Sequence, residues 1–182
     1  MKGFVRKQPL LALCGLECGL CPMYVGKYCP GCGGGPGNQS CKIAKCSLEH
    51  GGTEFCFQCS DFPCQRYQEE DAADFFLPGQ KRNWMLEQVR QTGVDAYMKD
   101  LSQRMAILNR LLENYNDGRR KSLYTAAACL LPLSELQHIL ETLDNRKEEP
   151  LKDAAKAAAA LLQEAADRLH LSLKLRKKSS KA

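Results

Sequence analysis

The chain contains no phosphate-binding glycine loop, no nucleophile elbow, no paired catalytic carboxylates and no HExxH motif. Those absences remove the usual nucleotide-hydrolysing, acyl-transfer and metalloprotease readings, and no catalytic motif remains to argue for an enzyme. No segment approaches the roughly 20 apolar residues of a membrane span, and nothing reads as a β-strand. Histidine is scarce at 3 residues; only His50 falls near cysteines, where the number of available thiols makes an imidazole ligand unnecessary. Aromatic residues make up 7% of the sequence. Trp84, Tyr97 and Tyr115 stand at helical spacing and read as core, not as a platform for stacking bases.

Cysteine is nearly absent as well, but only after Cys64, where Cys129 stands alone on an apolar helix and reads as a buried core residue. The other cysteines are Cys14, Cys18, Cys21, Cys29, Cys32, Cys41, Cys46, Cys56, Cys59 and Cys64. Three pairs, Cys18/Cys21, Cys29/Cys32 and Cys56/Cys59, have two intervening residues. That spacing lets a tight turn aim both sulfurs at one metal ion and strains a disulfide. All ten are candidate metal ligands. They are enough for two tetrahedral Cys₄ sites with two thiols left over, and spacing does not say which pairs combine.

The string C29-P-G-C32-G33 is the outline of a zinc knuckle, in which turn N–H groups donate to sulfur and Gly33 permits the tight backbone. With the Cys56/Cys59 pair it favours zinc, two ions in all. An iron–sulfur cluster with a redox or enzymatic role is the alternative, since Cys21-Pro22 and Cys29-Pro30 place proline after a ligand, as clusters often do. Cys14, Cys18 and Cys21 also have the C-x₃-C-x₂-C spacing of radical S-adenosylmethionine enzymes. Against that resemblance, Leu20 stands where an aromatic is usual, and the chain is too short and too helical for their barrel.

The fold class read from the sequence is mainly α: a small irregular, zinc-knuckle-like metal-thiolate module followed by a domain of five to six helices. The boundaries are residues 10–65 for the module, 66–172 for the helical domain and 173–182 for a basic tail expected to be disordered. The module is rich in Gly and Pro, poor in apolar residues, and looped at Gly33–Ser40, so bound metal is expected to supply most of its stability. Helices are predicted over PCQRYQEEDAADFF (63–76), over NWMLEQVRQTG with Gly93 as its cap, and from Val94 to Tyr115. The last has an apolar stripe of Tyr97, Leu101, Met105, Leu108, Leu112 and Tyr115. After the Asn116-Asp117-Gly118 turn come helices from Arg120 to Leu131, from a Ser134/Gln137 capping box, and from Pro150 to about Leu171. The fifth of these turns Leu136, Ile139, Leu140 and Leu143 inward.

Charge says less. The net charge is +5, concentrated at Lys174, Arg176, Lys177, Lys178 and Lys181. The module holds only three basic residues, Lys27, Lys42 and Lys45, which argues against a nucleic-acid face. A protein partner met through the helical surface is the expected alternative. The start, MKGFVRKQPLLALCG, has too short an apolar run for a signal peptide and lacks a small residue before Cys14, so a cytoplasmic protein is predicted. A reducing compartment keeps such cysteines as thiolates for metal. Between Cys59 and Cys64, Phe62 is expected to shield the thiolates and Asp61 to cap the following helix.

The ordered set C14-GLE-C18-GL-C21-PMY, C29-PG-C32, C41-KIAK-C46 and C56-FQ-C59-SDFP-C64 resembles the bacterial and archaeal family called domain of unknown function 3795. The resemblance covers roughly Leu13 to Gln65 and implies a metal-binding domain without an established activity. Many members carry a further cysteine three residues before the position of Cys41. Here that position is Asn38, which leaves one site's ligand count open.

Overall fold

The computed structural model describes residues 3–35, 41–70 and 74–177. Among them there are eight α-helices and no strand: α1 (Pro22–Val25), α2 (Lys42–Glu49), α3 (Gln65–Glu70), α4 (Arg82–Thr92), α5 (Val94–Asn114), α6 (Lys121–Leu130), α7 (Leu133–Asp144) and α8 (Leu151–Arg168). Two short 3₁₀ turns, Cys18–Leu20 and Cys56–Gln58, carry cysteine pairs. The mainly α class is therefore as read, with a cysteine-rich N-terminal region built on short turns.

The helix punctuation follows the chain. Gly93 adopts φ +86 and closes α4 while α5 begins at the next residue. Pro132, which has no N–H to donate, stops α6 and serves as the N-cap of α7; Pro150 does the same before α8. The predicted Ser134/Gln137 capping box is not made, because α7 has already begun at Leu133 and no side chain caps it. The first predicted helix is shorter than its acidic run suggested. It spans Gln65–Glu70, and residues 74–76 are non-helical. Residues 71–73 of that prediction, Asn38 and the 36–40 part of the glycine loop lie outside the described residues.

Helix α5 is the axis of the helical part, packing on α4, α6, α7 and the Cys18–Leu20 turn. Leu101, Leu108 and Leu111 on it are fully buried. Arg104 is buried as well, on a face the apolar stripe did not include. The predicted face of α7, Leu136, Ile139, Leu140 and Leu143, is buried, and the small residues Ala155, Ala158 and Ala166 let α8 approach closely. Tyr124 ties three elements together, its hydroxyl donating to Tyr115 O at 2.5 Å, with Ala155 O at 3.4 Å. Trp84 departs from the expected core: it is 51% exposed, with the Lys81 ammonium over its ring.

The N-terminal region has apolar packing to hold it in place. Phe4, Leu11, Leu13, Leu20, Ile43 and Phe55 are buried in the same apolar cluster as Met85, Leu86 and Leu108. Contact is close: a Cβ at Gly15, whose φ is +96, would lie 2.6 Å from Arg82 O on α4. These apolar residues are too few to build a core by themselves, and the helices supply the opposite wall. At the other end, Leu173 is buried, and Arg176 bonds the Asp74 carboxylate through Nη2 at 2.8 Å and through its backbone N–H at 2.8 Å. Residues 178–182 lie outside the described residues.

Candidate metal centres

Folding sorts the cysteines into two neighbourhoods. Cys18 sits on the first 3₁₀ turn and Cys21 at the N-terminal end of α1, their backbones joined by the Cys21 N–H to Cys18 O bond of 3.1 Å. The Cys29/Cys32 knuckle is laid beside them by the turn at residues 8–11. The Cys32 N–H reaches Pro9 O at 2.7 Å, while the Gly19 N–H reaches Leu10 O at 2.8 Å. Gly33 has the positive φ of +76 that the knuckle reading required. The Cys18 thiol is pushed well above its usual range by burial, and then by the neighbouring charges of Cys32, Cys14, Cys21 and Cys29. Burial likewise lifts Cys21, against backbone N–H groups of Met23 and Tyr24 that favour its thiolate.

The second neighbourhood joins Cys46 on α2, Cys56 and Cys59 at the second 3₁₀ turn, and Cys64 before α3. These four line one cavity of about 40 Å³ together with Leu13, Phe62, Tyr67 and His50. Phe62 meets Tyr67 edge to face at 4.9 Å, forming an apolar wall beside the sulfurs as the shielding role required. Tyr67 is pinned in turn, its buried hydroxyl donating to Cys14 O at 2.9 Å. Burial pushes the Cys56 thiol up strongly, followed by the charges of Cys14, Cys64 and Cys46. Cys14 is buried between the two groups, acting on Cys18 and Cys32 on one side and on Cys56 on the other.

Cys41 is exposed at the N-cap of α2. Cys129 is buried in the helical core, as expected; burial, then the Glu17 carboxylate, holds its thiol far above the usual range. All eleven cysteines are thiols, none joined in a disulfide.

Sequence reasoning missed three residues of this region. Arg6 is 7% exposed and donates to Glu54 O at 2.6 Å and Leu11 O at 2.7 Å, with its guanidinium over the Phe55 ring. It also bonds Cys32, whose thiol burial nonetheless raises to about 11. Arg6 precedes the cysteine motifs, so no pattern marked it. His50 and Asp61 are the other two: with Cys59, their ligand atoms lie within 4.8 Å of one another. Asp61 does not cap a helix, since α3 starts only at Gln65. The His50 ring fell beside Cys46 through the i, i+4 geometry of α2, a signal present in C46-SLE-H50.

The donor set fits a soft or borderline divalent cation. Burial first, and then the charges of neighbouring cysteines, raise the Cys18 and Cys56 thiols, and a cation among them would reverse the second effect. Ligation requires the thiolate, so metal uptake at these thiols would be accompanied by proton release.

Residues 10–69 match the model of a family described as "Protein of unknown function (DUF3795)", as the ordered motifs implied. The match takes in both cysteine neighbourhoods and ends in α3; the remaining helices lie beyond it. No curated protein and no solved structure matches the chain. Among the described residues no helix is long and apolar enough to cross a membrane.

Proposed function

We propose that this protein binds two zinc ions, one held by Cys18, Cys21, Cys29 and Cys32 and the other by Cys46, Cys56, Cys59 and Cys64. The observation that carries the reading is the partition itself: Cys18, Cys21, Cys29 and Cys32 gather on one side of the buried Cys14, and Cys46, Cys56, Cys59 and Cys64 line one cavity on the other. The Cys29/Cys32 knuckle, with Gly33 at φ +76, is the feature that favours zinc over iron–sulfur.

The metal's role is structural. When bound, zinc supplies four bonds that cross-link loops with little core of their own; the residues around it exclude water (Phe62, Tyr67) and offset thiolate charge (Arg6). The setting is a reducing cytoplasm, where the thiols persist. Function then lies in a partner, and the exposed Phe75, Phe76 and Trp84 offer apolar surface outside the metal region.

Stripping the metal with a chelator tests this. Hydrogen exchange should accelerate by more than about 100-fold across residues 13–67 while the α5 and α8 amides stay protected, because structural zinc binding is folding free energy for the loops it joins. Protection unchanged in 13–67 would contradict a structural role.

A further inference from the structure

The second centre is not closed. Where Cys18 and Cys32 are surrounded by other cysteines and by Arg6, Cys59 faces the exposed His50 and Asp61, and the three offer nitrogen, sulfur and oxygen donors within 4.8 Å. Donor atoms sharing one tetrahedral zinc stand about 3.3–3.7 Å apart, given bond lengths of about 2.0–2.3 Å. Closing the difference takes a shift of about 1 Å, which exposed side chains make by small rotations.

His50 is already oriented for this. Its Nδ1 lies 2.8 Å from Cys46 O, and a carbonyl oxygen can only accept, so Nδ1 carries the proton and Nε2 keeps its lone pair. Ligating histidines are held in this way, by a hydrogen bond from the other ring nitrogen to a carbonyl or carboxylate. Asp61 is steadied by the Ser60 hydroxyl, which donates to its Oδ1 at 3.3 Å. Three protein ligands leave a fourth position to water, and that pattern belongs to exchangeable or reactive zinc, not to closed structural zinc.

We infer that His50, Cys59 and Asp61 form a third, weaker and exchangeable site for a divalent cation of the zinc type, sharing the Cys59 sulfur with the second centre. The site rests on the two-centre reading, and its thiolate bridges two ions, accepting metal at the surface and passing it inward. Ligation breaks no covalent bond in the protein: the His50 nitrogen, the Asp61 carboxylate and a second lone pair of the Cys59 thiolate take the places of waters on the incoming ion, and one water remains. Its mixed donor set and solvent exposure make it the point where zinc enters or leaves the protein.

The test is titration of the zinc-loaded protein with Zn²⁺, followed by calorimetry and by transfer to a chromophoric chelator. Wild type should take up a third equivalent and release it at least 10-fold faster than the other two. His50→Ala and Asp61→Asn should each weaken that equivalent at least 10-fold and keep the two tight ions. Both side chains are exposed, and far-UV circular dichroism verifies that the variants fold. Two tight ions with no third equivalent, or a third that persists undiminished in both variants, would overturn this site and leave the two-centre reading standing. Failure of the protein to hold two tight ions is the separate result that would remove both.

Discussion

Cys32→Ser and Cys64→Ser should each cost the protein one zinc per chain, and not the same one. Cys32 belongs with Cys18, Cys21 and Cys29, whereas Cys64 lines the cavity with Cys46, Cys56 and Cys59. A serine hydroxyl remains protonated at neutral pH and offers no anionic soft donor, so the affected centre should weaken by well over about 100-fold. Losing a supporting hydrogen bond around a ligand gives only about 10–100-fold. Cys14 complicates the first variant, because its thiol lies beside Cys18 and Cys32 and can stand in. The substitution is therefore best made in a Cys14→Ala background, which by itself should retain both ions. Elemental analysis reads the count, and cobalt substitution reports which thiolates remain. A single variant that loses both ions would mean one shared cluster instead of two centres.

Arg104→Met should destabilise the fold by about 3–5 kcal/mol in urea unfolding, the largest effect expected outside the cysteines. Helix α6 is stopped by Pro132, and its last carbonyls have no helical partners. Arg104 reaches across from α5 and donates Nη1 to Ala128 O and to Leu131 O, both at 2.8 Å, with Nε on Asp100 at 2.5 Å. Lys81 donates to Leu130 O beside them, so two cations cap one helix C-terminus, where the helix dipole favours them. Burial, then the charge of Arg104, holds Lys81 below its usual range. Methionine fills the space of the guanidinium but strands two buried carbonyls, at about 1.5–3 kcal/mol for each charged hydrogen bond lost. Arg104→Lys should recover part of the loss. A change below about 1 kcal/mol for the methionine variant would show that Arg104 is not the cap.

The sequence made the punctuation of the helices plain, because Gly93, Pro132 and Pro150 act through their own backbones. The inward face of α7 was equally plain, being written in four leucines and isoleucines at helical spacing. Residues whose burial depends on distant carbonyls were not. Arg104 and Arg6 are polar by any periodic count, and only the folded chain shows which oxygens they satisfy. Trp84 misled in the opposite sense, since apolar character does not by itself bury a ring at the edge of α4.

In the cysteine region, spacing revealed that pairs would act together but not which pairs. The partner choice is made by long-range bonds such as Cys32 N–H to Pro9 O and Cys56 N–H to Leu13 O, at 2.7 and 2.9 Å, which lash both groups to one N-terminal stretch of turns. His50 was passed over because thiols alone were sufficient in number, and Asp61 was read as a helix cap; neither reading says what stands at the rim.

Metal content per chain, measured on protein purified without oxygen and read together with its visible spectrum, tests the central claim most directly. Two or more equivalents of zinc in a colourless protein is the predicted result, with two of them surviving dialysis. Several irons with acid-labile sulfide and absorption in the visible range would contradict the account, and would make electron transfer the chemistry to pursue.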